Sequence, residues 1–237
     1  MASDSERTFG ARILNAQNLL AHVSALADYA PPLASERVKD FGQLLDDIDA
    51  CNSRESELFQ VYSAAVSARK GGFYGSGTSL FKIFPLLRGA VIAEYGSKSA
   101  ELASIDAILR RIRKHTAIRV PASGDGQVPA KVVSQSQQSF GSLTQAFYDI
   151  ISTLTQLSGY APSNPALQIP QLQAMAARLD GLNLAVANAY QELSAERRKR
   201  RDLYAELRAR AQRMKAYIKA QYGLSSAIYG IVKGAVV

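Results

Sequence analysis

LNLAVANAYQELSAERRKRRDLYAELRARAQRMKAYIKAQY, residues 182–222, contains neither glycine nor proline. The two residues that most strongly interrupt a helix are therefore missing from the whole stretch. Leu203, Leu207, Ala211, Met214, Ile218 and Tyr222 recur at steps of three and four, the period of one helix face. The stretch predicts one continuous helix, about 60 Å long at 1.5 Å per residue. Gly223 follows where a helix commonly ends on a left-handed cap. The alternative is a turn near Lys199 to Asp202, because the matching part of the first half carries glycines.

Outward from this stretch, the second half of the chain repeats the first. Phe9-Gly10 recurs as Phe140-Gly141, and Tyr29-Ala30-Pro31 as Tyr160-Ala161-Pro162, both at an offset of 131. The same offset aligns Asp49 with Asp180, Asn52 with Asn183, and Arg69-Lys70 with Arg200-Arg201. Further on the offset becomes 127: Ala93-Glu94-Tyr95-Gly96 matches Ala220-Gln221-Tyr222-Gly223, and Ser99-Ala100 matches Ser226-Ala227. The four lost residues fall in the glycine-rich Gly71 to Thr78. The expected organisation is a helical repeat unit over residues 1–118, a linker over 119–137 and a second unit over 138–237. The two units pack about a pseudo-two-fold axis or merge into one compact bundle.

In the first half, Leu14, Leu19, His22, Val23, Leu26 and Tyr29 predict a helix over about Arg7 to Tyr29, ended by Ala30-Pro31-Pro32. A second helix is expected from about Ser35, as N-cap, to Arg69, with Val38, Phe41, Leu45, Ile48, Leu58, Val61, Tyr62 and Ala65 on its buried face. Gly71-Gly72 breaks it. A third runs from about Ser79 to Tyr95 with Pro85 near its start, and a fourth from Ser99 to about Lys114. Val120 to Gln135, with Pro121, Gly124, Gly126 and Pro129, has no period and reads as linker. In the second half the first helix is expected over about Gln138 to Gly159, followed by a proline-bearing loop. The apolar segment from Ile228 to Val237 docks on the bundle, on itself or on a partner. No convincing alternation of apolar and polar residues occurs, so the fold class is all-α, a helical bundle with long antiparallel helices.

Composition bounds the function. Hydrophobic residues make up 47% and charged residues 20% of the 237, a globular balance. No apolar run approaches the roughly 18 to 20 residues that span a bilayer. The start, Met1 to Arg7, lacks a secretory pattern, so the expected location is cytoplasmic. The single cysteine, Cys51, excludes an internal disulfide and sits in a helical pattern as a small core or boundary residue.

Gly72-Phe73-Tyr74-Gly75-Ser76-Gly77-Thr78-Ser79 fits G-x-x-x-x-G-x-S, but Thr78 stands where a phosphate-binding loop needs lysine. It reads as an interhelical loop with Thr78 or Ser79 as N-cap. Tyr95, Gly96 and Ser99 recur as Tyr222, Gly223 and Ser226, a structural corner in which glycine reverses the chain and serine caps the next helix. Arg197 to Arg201 is five consecutive cations, and Arg197, Arg201, Arg208, Lys215 and Lys219 share a helix face opposite the apolar stripe. They are the candidate contacts to a polyanion, nucleic acid or an anionic surface. Residues 195–219 hold ten Lys or Arg against Glu196, Asp202 and Glu206, close to the whole net charge of +8. Tyr204 and Tyr217 are the aromatics near enough to stack on bases. A second basic group is Arg110, Arg111, Arg113, Lys114 and His115. Asp46, Asp47, Asp49, Glu55 and Glu57 are expected in solvent.

His22 and His115 belong to no metal-binding spacing, and no catalytic residues, cofactor or metal are assigned. The expected function is a non-enzymatic helical scaffold or interaction protein that binds itself, as a homo-oligomer, or a protein partner through helix faces. The alternative is polyanion binding through the basic helix 197–219. A ligand site in a groove between the two units stays open.

Overall fold

The computed structural model describes residues 8–113, 117–119, 132–134, 139–235 and 237. Among the described residues, seven α-helices carry the fold: α1 (Phe9–Ser24), α2 (Val38–Tyr74), α3 (Leu80–Tyr95), α4 (Ala100–Arg113), α5 (Phe140–Gln156), α6 (Ile169–Tyr222) and α7 (Ala227–Val232). Single 3-10 turns, Ala34–Glu36 and Pro165–Leu167, precede the two longest helices. Strands β1 (Ala117–Arg119) and β2 (Val132–Ser134) pair antiparallel, β1 just before and β2 within the Val120–Gln135 stretch expected to be an aperiodic linker. The rest of that linker, with Lys114, His115 and the expected helix starts at Arg7 and Gln138, lies outside the described residues.

Several expected boundaries move, for physical reasons. α2 runs through Gly71-Gly72 to Tyr74, because helical glycines cost only about 1 kcal/mol each and buried Phe73 anchors the last turn. A Cβ on Gly72 would meet Leu182 Cδ1 at 2.6 Å, so this glycine permits a close helix approach. α6 is continuous over all of 182–222 and begins earlier, at Ile169, with Pro170 tolerated in its first turn. Ser35 is not an N-cap. It lies in a 3-10 turn and its hydroxyl donates to Glu36 Oε1 at 2.8 Å. Ser79 precedes α3 but makes no capping bond, its Oγ donating to the Gly75 carbonyl instead. Leu14, His22, Val38 and Val61, expected on buried faces, are exposed.

The chain forms two compact units, each drawing on both sequence halves. Unit 1 comprises residues 1–61 and 190–237, and unit 2 comprises 62–189. In unit 1, Ala16, Leu19 and Val23 of α1 and Phe41, Leu44, Leu45 and Ile48 of α2 bury against Tyr204, Leu207, Ala211, Met214 and Ile218 of α6, with Val232 of α7. The apolar stripe read from the sequence is this core face. In unit 2, Phe73 and the apolar faces of α3, α4 and α5 close around Leu172, Ala176 and Leu179 of α6. Full burial of each Leu, Ile, Val, Phe or Met side chain among these contributes about 1.5–3 kcal/mol.

Specific contacts recur at the sequence offset. Tyr29 Oη donates to the Glu36 carbonyl at 2.9 Å, and Tyr160 Oη to the Leu167 carbonyl at 3.0 Å. Arg200 stacks over Phe9, 4.5 Å to its centroid, and Arg69 over Phe140 at 4.1 Å. Phe9 packs on Tyr204 at 4.6 Å, and Phe140 on Phe73 at 4.9 Å. In unit 1, Asn52 Nδ2 donates to Tyr204 Oη, which donates to the Phe9 carbonyl. In unit 2, Asn183 Nδ2 donates to Thr144 Oγ1, which donates to the Phe140 carbonyl. The relay is the same, but its hydroxyl comes from α6 in unit 1 and from α5 in unit 2.

Candidate functional site

The glycine-rich segment offers no phosphate cradle. Gly72, Phe73 and Tyr74 are the end of α2, and only Gly75 to Ser79 form the connection to α3. Phe73 is fully buried and Tyr74 stacks on Phe81 at 4.7 Å, so the segment packs rather than opens.

Both corners have the expected form with one difference. Ser99 Oγ accepts from Leu102 N and Ser226 Oγ from Tyr229 N, each at 3.1 Å, so both serines cap the helix after the corner. Gly96 has φ +91° and ψ 160°, and Gly223 has φ +84°. For Gly96 this is not the left-handed helical well but an extended region with positive φ that is essentially restricted to glycine. Tyr95 Oη donates to the Ser158 carbonyl at 3.0 Å, while Tyr222 is half-buried against the unit 1 core. These residues build chain reversals.

The basic segment of α6 is largely committed to its own unit. Arg197 and Arg200 grip the two oxygens of Glu55 at 2.8 and 3.0 Å. Glu55, expected in solvent, is instead buried, because an anion leaves water where two guanidinium groups neutralise it. Arg213 pairs with buried Glu36 at 2.7 Å. Arg210 pairs with Glu206 and donates to the carbonyls of Ser35 and Asp40. Lys199 lies 3.8 Å from Glu196, and Lys215 donates to the Ala235 carbonyl. Six of the ten cations in 195–219 are thus engaged. Among the described residues, Arg198, Arg201, Arg208 and Lys219 make no hydrogen bond or ion pair, and all four are exposed. Of the five polyanion candidates, the exposed and unpaired ones are Arg201, Arg208 and Lys219.

The stacking aromatics are occupied. Tyr204 is buried in the relay, and Tyr217 accepts from Ala30 N and packs edge-on against Tyr29 at 5.4 Å. Tyr190, which sequence reasoning passed over, is exposed and lines a shallow groove with Ser194, Arg197, Arg198 and Arg201. In the second basic group, Arg111 pairs with Asp149 at 3.4 Å and Arg110 Nε donates to the Asp106 carbonyl. Arg88 binds Asp106 at two points, 2.8 and 3.1 Å, which raises its pKa. Cys51 is buried with its Sγ directed at the Glu196 carbonyl, and burial pushes the thiol up to about 11.

Among the described residues, no group of His, Cys, Asp and Glu is placed to hold a metal ion, and no helix is long and apolar enough to cross a membrane. Compared with known protein families, curated proteins and solved structures, the chain matches none.

Proposed function

We propose that this chain is a non-enzymatic helical scaffold, built by internal duplication, that self-associates through exposed helix faces and corners. The observation that carries the reading is the inward commitment of the basic helix. Its cations hold Glu55, Glu36 and backbone carbonyls of unit 1, so their charge serves the fold before any partner arrives. The duplication is supported by the recurrence of tyrosine, arginine–phenylalanine and asparagine–hydroxyl contacts at the offset seen in the sequence. Self-association is supported by large apolar side chains left in water, notably Leu224 at 69% and Ile231 at 58% exposure around the α6–α7 corner.

Light scattering on the eluting full chain tests this. The expected mass is a multiple of 25.6 kDa, unchanged between low and high salt, because apolar contacts are not screened. Leu224→Ser with Ile231→Ser, which installs the residues aligned in the first half (Ser97 and Ser104), is expected to yield the single chain. A wild type that elutes as a single chain at all salts and concentrations would reject self-association.

A further inference from the structure

The cations that the fold leaves exposed on α6 are not spread evenly. Arg198 and Arg201 line one groove with Tyr190, Ser194 and Arg197. These five residues follow at steps of four, three, one and three, so they share one side of the helix over about 16 Å. Their convergence is a consequence of helical period, since α6 is continuous across them. All five belong to unit 1. Among the described residues, no carboxylate lines the groove.

The aromatic end of this face stands in water. Tyr190 is 56% exposed, and Phe59 of α2 is 44% exposed. The Arg197 guanidinium lies 6.0 Å from the centre of the Phe59 ring, which joins that second ring to the same patch. Arg197 itself is anchored on Glu55, so Arg198 and Arg201 carry the uncommitted charge. At the offset of 131, Tyr190 aligns with Phe59, whereas Arg197, Arg198 and Arg201 align with Val66, Ser67 and Lys70. The aromatic is common to both halves, and the arginine cluster is not. A solvated basic face needs no ring. An apolar protein interface would have to desolvate two guanidinium groups without an acid to meet them. A flat ring beside two cations suits a ligand in which flat groups alternate with anions, as bases alternate with phosphates.

We propose that this face of α6 binds single-stranded nucleic acid, with a base stacked on Tyr190 and adjoining phosphates paired to Arg198 and Arg201. Phe59 offers a platform for a second base. Arginine forks match phosphate oxygens at two points, and stacking on a ring accepts any base, so the binding is independent of sequence. A duplex keeps its base faces covered and gains the charge contribution alone. The inference goes beyond self-association and does not rest on it.

The test uses the full chain and fluorescence anisotropy at several ionic strengths. The labelled probes are oligodeoxyuridylate, an abasic strand of equal length and oligouridylate. The wild type is expected to bind oligodeoxyuridylate with a salt slope near −1.4, at about −0.7 for each of two phosphates on a single strand. The abasic strand is expected to bind at least about fivefold more weakly, the low end for one stacked base. Tyr190→Ala is expected to lose that preference, and Tyr190→Phe to keep it. Arg198→Gln with Arg201→Gln is expected to bring the slope toward zero. If Tyr190→Ala does not fold, the abasic strand reads the stacking on the wild type alone. The tighter of the two uridylates names the sugar of the natural strand. No binding to either uridylate at low salt, or an abasic strand bound as tightly as one with bases, overturns the proposal. Polyglutamate that competes as well as the oligonucleotide also overturns it, and makes the face a dock for acidic protein. Self-association is judged separately, by the mass of the eluting chain.

Discussion

The hydroxyl relays show how single residues carry the fold. Asn52 and Asn183 are aligned in sequence and do the same work, yet one finds Tyr204 and the other Thr144. The positions aligned with these two are Phe73 and Ile13, neither of which carries a hydroxyl. Tyr204→Phe is expected to lower stability by about 1–3 kcal/mol, because Asn52 then keeps a half-buried donor without its partner. Adding Ile13→Thr, which copies unit 2 into unit 1, is expected to recover part of the loss. Denaturant melts of both variants measure this, and a double variant no better than the single one would count against equivalent units. Gly96 is a second single-residue case. At φ +91° and ψ 160° a β-branched side chain is strained, so Gly96→Val is expected to cost about 1–3 kcal/mol. A melt equal to wild type would show that the corner relaxes freely.

Tyr160 adds a pH dependence at the same scale. Burial is the largest cause of its pKa rising from 10 to about 12, with Glu94 and Tyr95 adding to it, and Tyr29 shifts in the same direction. A raised pKa means that the fold favours the neutral phenol. Its contribution is therefore complete below pH 10 and is lost as pH climbs through 12. The melting temperature is expected to fall between pH 10 and 12 by less in Tyr160→Phe than in wild type. Equal falls would place the alkaline sensitivity elsewhere.

At the scale of elements, the sequence carried the helices better than their partners. The stripe from Leu203 to Tyr222 was legible because helical period and burial coincide, and α6 runs through it unbroken. The caps at Ser99 and Ser226 and the positive φ of both corner glycines were legible from local pattern, whereas Ser35 and Ser79 were misread because their hydroxyls turn to Glu36 and to the Gly75 carbonyl. Gly71-Gly72 misled because a glycine pair inside a well-packed helix serves close approach rather than termination. Glu55 misled because its partners, Arg197 and Arg200, are remote in sequence, and no local pattern marks an acid that will meet two arginines. Glu55→Ala is expected to destabilise the protein by about 1–3 kcal/mol, since Arg200 remains partly buried and unpaired. Urea melts indistinguishable from wild type would mean that water replaces the carboxylate without cost.

For the whole molecule, most of the positive charge of α6 is held by acids and carbonyls of the chain itself, which leaves four cations of residues 195–219 to face a partner. The measurement that tests this most directly is the salt dependence of binding to labelled duplex DNA, read by fluorescence anisotropy. Binding that used all ten cations of residues 195–219 would have a slope near −9, at about −0.9 per phosphate neutralised. The expected binding is absent or shallow, with a slope no steeper than about −3.6, the share of Arg198, Arg201, Arg208 and Lys219. A slope well beyond that, flattened when Arg197, Arg201, Arg208, Lys215 and Lys219 are all replaced by Gln, would contradict it and make the basic helix a nucleic-acid surface.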